Sequence, residues 1–100
     1  MDTTDILNRI KEEIVQLVQP QTIILFSYKQ DINNHLTSFK LCVILNTDNK
    51  KEVERKLYLN LECSIPFDVI VYTTEEWERA LTIDFSFAQT VQEKGMVLYG

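Results

Sequence analysis

Only a few polar side chains in this 100-residue sequence stand where they could do chemistry. His35 is the only histidine, and its ordinary pKa suits general acid–base work or metal ligation near neutral pH. It lies in a polar stretch without a Cys or carboxylate cluster at metal-site spacing, which makes it a solvated loop residue. Asp31, in the same stretch, and Asp48, in the turn Asn46-Thr47-Asp48-Asn49, could supply carboxylates. Loop tips rarely reproduce the ligand geometry that a strand fixes, so neither is expected to build a site. Lys40 and Asp68 differ in that each sits inside an apolar run. If the sheet sets them side by side, a charge pair is expected, since an unpaired, partly buried carboxylate is costly.

Cys42 lies in the apolar run and Cys63 in a short loop segment, with neither a CxxC spacing nor a nearby His. Both read as free thiols, buried or half-buried, which fits a reducing cytoplasm. Trp77, Phe85, Phe87 and Tyr99 could form a base-stacking platform, but their helical and strand spacing favours core packing. Tyr28 and Tyr58 fit an exposed apolar patch of the kind used in dimerisation. Glu75, Glu76, Glu78 and Arg79 form a charged helix face.

The elements that position these groups follow from patterning. A chain that is 45% hydrophobic with two Gly and two Pro is expected to form one domain over residues 1–100. A domain of this size buries only ~60–70% of the surface its unfolded chain exposes, so its stability margin is thin and an oligomeric partner would help. The net charge of −5 works against nucleic acid, because Lys50, Lys51, Arg55 and Lys56 are interleaved with Glu52 and Glu54. The acidic start Met1-Asp2-Thr3-Thr4-Asp5 is unlike a signal peptide, and no apolar stretch approaches the ~18 residues of a membrane span.

Ile6, Leu7, Ile10, Ile14, Leu17 and Val18 make one stripe at helical spacing, capped by Thr3 or Thr4 and ended by Pro20. Strands are predicted at Thr22–Phe26, Phe39–Leu45, Phe67–Tyr72 and Met96–Tyr99. Tyr28–Thr37 reads as a long polar loop. Lys50–Leu61 carries Val53, Leu57 and Leu61 on one side of a second helix. Thr73-x-x-Glu76 matches a capping box opening a helical segment to Lys94, broken near Thr82–Asp84, and Gly95 is expected to supply a left-handed stop. The fold class is therefore α/β (α+β), a mixed sheet of about four strands with helices mainly on one face.

Thr22-Ile23-Ile24-Leu25-Phe26-Ser27-Tyr28, the apolar strand after the polar stretch, Phe67-Asp68-Val69-Ile70-Val71 and the closing Glu93-Lys94-Gly95-Met96-Val97-Leu98-Tyr99-Gly100 resemble the small nucleotidyltransferases of the DNA polymerase beta superfamily. The likeness covers nearly the whole chain. Active members carry a strand ending in Leu-Phe-Gly-Ser, then Ser-Asp-x-Asp on the next strand and a third Asp on the strand after. Their chemistry uses magnesium, which demands hard oxygen ligands, to neutralise triphosphate oxygens and activate a hydroxyl. Asp-x-Asp on a strand puts two carboxylates on one face, because side chains alternate with a period of two.

Aligned on that motif, Thr37-Ser38-Phe39-Lys40-Leu41-Cys42-Val43-Ile44 places Ser38 and Lys40 where the two metal-binding carboxylates belong. Ser38 is a weak, neutral ligand. The Lys40 ammonium would repel a divalent cation by several kcal/mol at ~4 Å and an effective dielectric of about 20. Only Asp68 remains of the triad, either as a relic metal ligand or, if the sheet sets it beside Lys40, as one half of a charge pair in which the ammonium occupies the former metal site. The phosphate turn is altered too: either Ser27 replaces the Gly, or the Gly is deleted and Ser27 is the Ser of the motif. No Gly occurs before Gly95.

The resemblance thus implies a nucleotidyltransferase fold without the family's metal site, a pseudoenzyme acting as a binding or regulatory module for a protein partner or for itself. Small domains of that family often pair with a separate helical protein, as in toxin–antitoxin systems. A transferase that moves a nucleotide from an NTP to a protein or small-molecule hydroxyl would need magnesium, with carboxylates recruited to Asp68 from elsewhere. A nucleotide sensor would use Ser27, Tyr28 and Lys40 as contacts, Lys40 facing the phosphates.

Overall fold

The amphipathic stripe at the start of the chain forms α1 (Thr3–Val18), which buries Leu7, Ile10 and Ile14. Asp2, not Thr3 or Thr4, is its N-cap: the Asp2 carboxylate accepts a 2.9 Å hydrogen bond from the Asp5 N–H. At the other end Gln19 turns left-handed (φ 50°), its N–H donates to the Val15 carbonyl, and Pro20 follows. The computed structural model describes residues 2–100 and continues as β1 (Thr22–Gln30), β2 (Leu36–Leu45), α2 (Lys50–Asn60), β3 (Phe67–Thr73), α3 (Thr74–Leu81), α4 (Phe87–Lys94) and β4 (Met96–Tyr99).

The four strands form one mixed sheet in the order β3-β2-β1-β4, so the α+β class expected from the sequence holds. β1 is antiparallel to β2 and β4, while β2 and β3 run parallel with α2 as the crossover. Half of the predicted long loop at Tyr28–Thr37 is strand: β1 extends to Gln30, β2 begins at Leu36, and residues 31–35 between them close a hairpin. Its polar side chains do not interrupt the ladder, because cross-strand bonds are made by the backbone. Asp31 shapes the turn, its carboxylate accepting from the N–H groups of Asn33 (2.8 Å) and His35 (3.0 Å), with Asn34 left-handed at φ 63°.

Strand alternation divides the core in two. Leu25, Phe39, Leu41, Val43, Val69 and Val71 pack with Ile10, Ile14 and Leu57 beneath α1 and α2. Ile24, Cys42 and Ile44 face the other way, against Trp77 of α3 and Ala88 and Val91 of α4. The helices are therefore shared two and two between the faces of the sheet. The expectation of helices mainly on one face gives way because α3 and α4 carry their own apolar stripe and fold back over the second face.

The capping box is formed as predicted, with Thr73 Oγ1 accepting from the Glu76 N–H and Glu76 Oε1 accepting from the Thr73 N–H, both at 3.0 Å. Gly95 is not a left-handed stop (φ −76°, ψ 163°). Space is what requires glycine there, since a Cβ would lie 2.5 Å from Ile24 Cγ2 and from the Val91 carbonyl oxygen. Among the aromatics expected in the core, only Trp77 is buried; Phe87 meets Phe26 edge-on at 5.2 Å but is itself 43% exposed. Phe85 is 98% exposed and left-handed (φ 62°), and Tyr99 is partly exposed. Phe85 escapes the core because α3 ends at Leu81 and the helical periodicity restarts only at the Ser86 cap.

Lys50, at the start of α2, reaches Glu76 in the first turn of α3 at 2.9 Å, linking helices of opposite faces around one end of the sheet. The Lys50 ammonium and then the Thr73 N–H hold the Glu76 carboxyl down at about 2, below its ordinary 4.5. A depressed carboxyl pKa contributes stability that is complete above the unfolded value and is lost as pH falls from about 4.5 toward 2. Urea unfolding across that window is expected to show a shallower loss of stability with acid in Glu76→Gln than in the wild type.

Candidate functional site

The register across three strands brings the sequence-predicted site residues into one row. Ser27 of β1 is the partner of Lys40 on β2, and Lys40 is the partner of Asp68 on β3. Partners in a ladder share a face, and neighbouring strands are about 4.8 Å apart, so these side chains emerge together. Ser38 stands two residues before Lys40 on the same face, opposite Lys29. Toward the other end of this face lie Cys42 and Ile44, beneath α3 and α4. The second face thus has a covered apolar half and an open polar half carrying Ser27, Lys29, Ser38, Lys40 and Asp68.

A β-bulge makes this arrangement possible. Leu25 pairs with Leu41 and Ser27 with Lys40, leaving Phe26 as the extra residue. Phe26 packs against the α3–α4 core, and Ser27 follows it onto the same face. Tyr28 pairs with Phe39, which is buried under α1 and α2, so Tyr28 belongs to the opposite face from Lys40. Tyr28 is therefore separated by the sheet from the other proposed nucleotide contacts.

Lys40 and Asp68 are neighbours as the charge-pair reading requires, but both are exposed and no ion pair joins them. Water solvates each group where it stands, and an exposed pair gains only about 0–1 kcal/mol by contact. With Lys29 beside Ser38, the open half-face holds two ammonium groups and one carboxylate in a chain of net charge −5. Lys29 is absent from the sequence-predicted set because it lies in the polar stretch that reads as a loop. The alternation of Lys29 with Gln30 and Tyr28 signals its facing only once β1 is known to run that far.

The loop candidates stay apart from this row. His35 and Asp31 face each other across the hairpin turn (Nδ1 to Oδ2 3.4 Å), where the His35 and Asn33 N–H groups hold the Asp31 carboxyl below its usual range. Asp48 lies beyond the far end of β2, in a shallow cleft of about 610 Å3 that includes Asn46, Asn49 and Glu52 of the α2 entry and the end of α1. Neither carboxylate is brought to Asp68. Among the described residues, no three His, Cys, Asp or Glu side chains converge in a way that could hold a metal ion. No helix of the described residues is long and apolar enough to cross a membrane.

The thiols are free, Cys42 buried and Cys63 half-buried. Burial pushes the Cys42 thiol up to about 12, so it stays protonated at neutral pH. Cys63 donates from Sγ to the Ile65 carbonyl at 3.4 Å. No family model, curated protein or solved structure matches the chain. The chain is a small mixed-sheet protein with helices on both faces and one open, lysine-bearing half-face.

Titration of the native protein with a thiol reagent is expected to modify Cys63 alone, with Cys42 reacting only on unfolding. The site geometry makes a second forecast. Replacing Ser38→Asp and Lys40→Asp together sets three carboxylates in neighbouring positions with Asp68, all on the open half-face. Manganese is expected to raise the melting temperature of that double variant and to leave the wild type unchanged. An unchanged melting temperature in both would mean that these positions do not share a metal-sized site.

Proposed function

We propose that this chain is a non-catalytic, nucleotidyltransferase-like module of the cytoplasm whose work is to bind a protein partner or a second copy of itself. The observation that carries the reading is the row Ser27–Lys40–Asp68, with an ammonium at its centre and a single carboxylate at its edge. Magnesium-dependent nucleotidyl transfer needs converging hard oxygen ligands, and a central lysine opposes that requirement electrostatically. Resemblance of fold cannot restore the chemistry, because function resides in the site and not in the scaffold. The exposed apolar side chains Ile83, Phe85, Met96 and Val97 favour a role in association.

One observation favours a second reading. Lys29 and Lys40 share the open half-face with the hydroxyls of Ser27 and Ser38, a set of donors that suits phosphate oxygens. In that case the protein senses a nucleotide without turning it over, and Lys40 contacts the phosphates.

Isothermal titration with ATP, GTP, CTP and UTP, with and without magnesium or manganese, separates these possibilities. The interaction module is expected to show no binding at millimolar nucleotide, and its Lys40→Ala variant to fold and associate as the wild type does. Metal-independent binding abolished by Lys40→Ala would establish the sensor. Magnesium-dependent binding at micromolar affinity would overturn the non-catalytic reading.

A further inference from the structure

The sheet ends in two edges that the chain treats differently. At β3 the outward N–H of Val69 donates to the Tyr58 hydroxyl at 2.8 Å, and the Tyr58 ring stacks on Phe67 at 5.3 Å. Asp68 adds a charge to the same strand. A capped and charged edge resists pairing with another chain. β4, at the other end, has none of these protections: Met96-Val97-Leu98-Tyr99 contains no charge and no proline, and among the described residues its backbone pairs with β1 alone. Met96 and Val97 are each 56% exposed.

An open strand edge presents a row of N–H and C=O groups whose geometry is satisfied by another strand. From this we infer that β4 is a dimerisation edge, on which a second copy of the chain docks its own β4 antiparallel about a two-fold axis. The occupant follows from charge and geometry. On a surface of net charge −5, most faces would bring like charges together when two copies meet, whereas β4 against β4 brings none. A two-fold pairing uses the same patch on both copies, and the capped β3 edge stops growth there, so the assembly closes at two.

The same axis sets the two α1 helices side by side on one face. Beside β4, α1 offers a shallow cleft of about 310 Å3 lined by Lys11, Glu12, Val15, Gln16 and Tyr99. Its rim carries one positive and one negative side chain, so its approach to a copy adds no net repulsion, and it widens a contact that four strand residues alone would leave small. The dimer is one continuous sheet of eight strands, β3-β2-β1-β4-β4-β1-β2-β3. This deepens the interaction-module reading by naming its partner as the chain itself.

Sedimentation of the full chain over a range of concentrations, combined with amide hydrogen exchange, tests the assignment. Wild type is expected at twice the chain mass, dissociating on dilution, with the amides of Met96–Tyr99 exchanging faster as it does so. Val97→Lys is expected to weaken the dimer at least tenfold, while Ile70→Lys, on β3, leaves it unchanged. Exchange on the wild type decides the matter even if a variant fails to fold. A wild type that stays at one chain mass at every concentration, or a dimer whose β4 amides exchange at the same rate on dilution, overturns the proposal. A monomer that binds no nucleotide would refute the edge and leave the non-catalytic reading intact; a dimer that binds magnesium nucleotide would do the reverse.

Discussion

β2 is the strand that joins the two cores. From Leu41 to Leu45 each of its residues is buried, and successive side chains go to opposite cores. Two constraints meet there: the backbone must be paired on both sides, by β1 and β3, and both faces must be covered by helices. A strand in that position has no solvent to satisfy its peptide groups, so register is fixed along its whole length. A slip of one residue would exchange Leu41 and Val43 with Cys42 and would expose the apolar set of each face to the wrong helices.

The open polar half-face is a consequence of where that double coverage stops. α3 and α4 are eight residues each and cover Ile24, Cys42 and Ile44, together with Phe26 and Tyr72 at the margin. Beyond Cys42 the face is open, and the residues there are those that water can solvate: Lys40, Ser38, Asp68 and Lys29. Lysine at the centre of such a face is inexpensive because its ammonium stays hydrated. The same ammonium, set beside a single carboxylate, makes the position unfavourable for a divalent ion.

The helix pairs on the two faces are tied together at the opposite end of the sheet. α2 and α3 both begin there, because β2 and β3 are parallel, and the bond between Lys50 and Glu76 joins their first turns. The capping box at Thr73 orients the Glu76 carboxylate that Lys50 meets, so a local helix-start motif also serves a long-range link. In a domain this small, links of that kind matter because the cores are shallow and burial alone leaves a narrow margin.

Much of this architecture is legible in the sequence. The stripe of α1, the apolar strands, the Thr73-x-x-Glu76 box and the break before α4 are local patterns, written in residues within a few positions of one another, and local physics decides them. The shared face of Ser38 and Lys40 is equally visible, since alternation on a strand requires no tertiary knowledge. Other features depend on partners distant in the chain. The first part of the polar stretch, Tyr28–Gln30, became strand because β2 supplied its hydrogen bonds, and the bulge at Phe26 set which of Ser27, Tyr28 and Lys29 would face Lys40. The second face was covered by α3 and α4, Phe85 was left in solvent, and one sheet edge was capped while the other stayed open. Each of these outcomes turned on which backbone groups and apolar surfaces came to lie next to one another, and only the packed chain determines that.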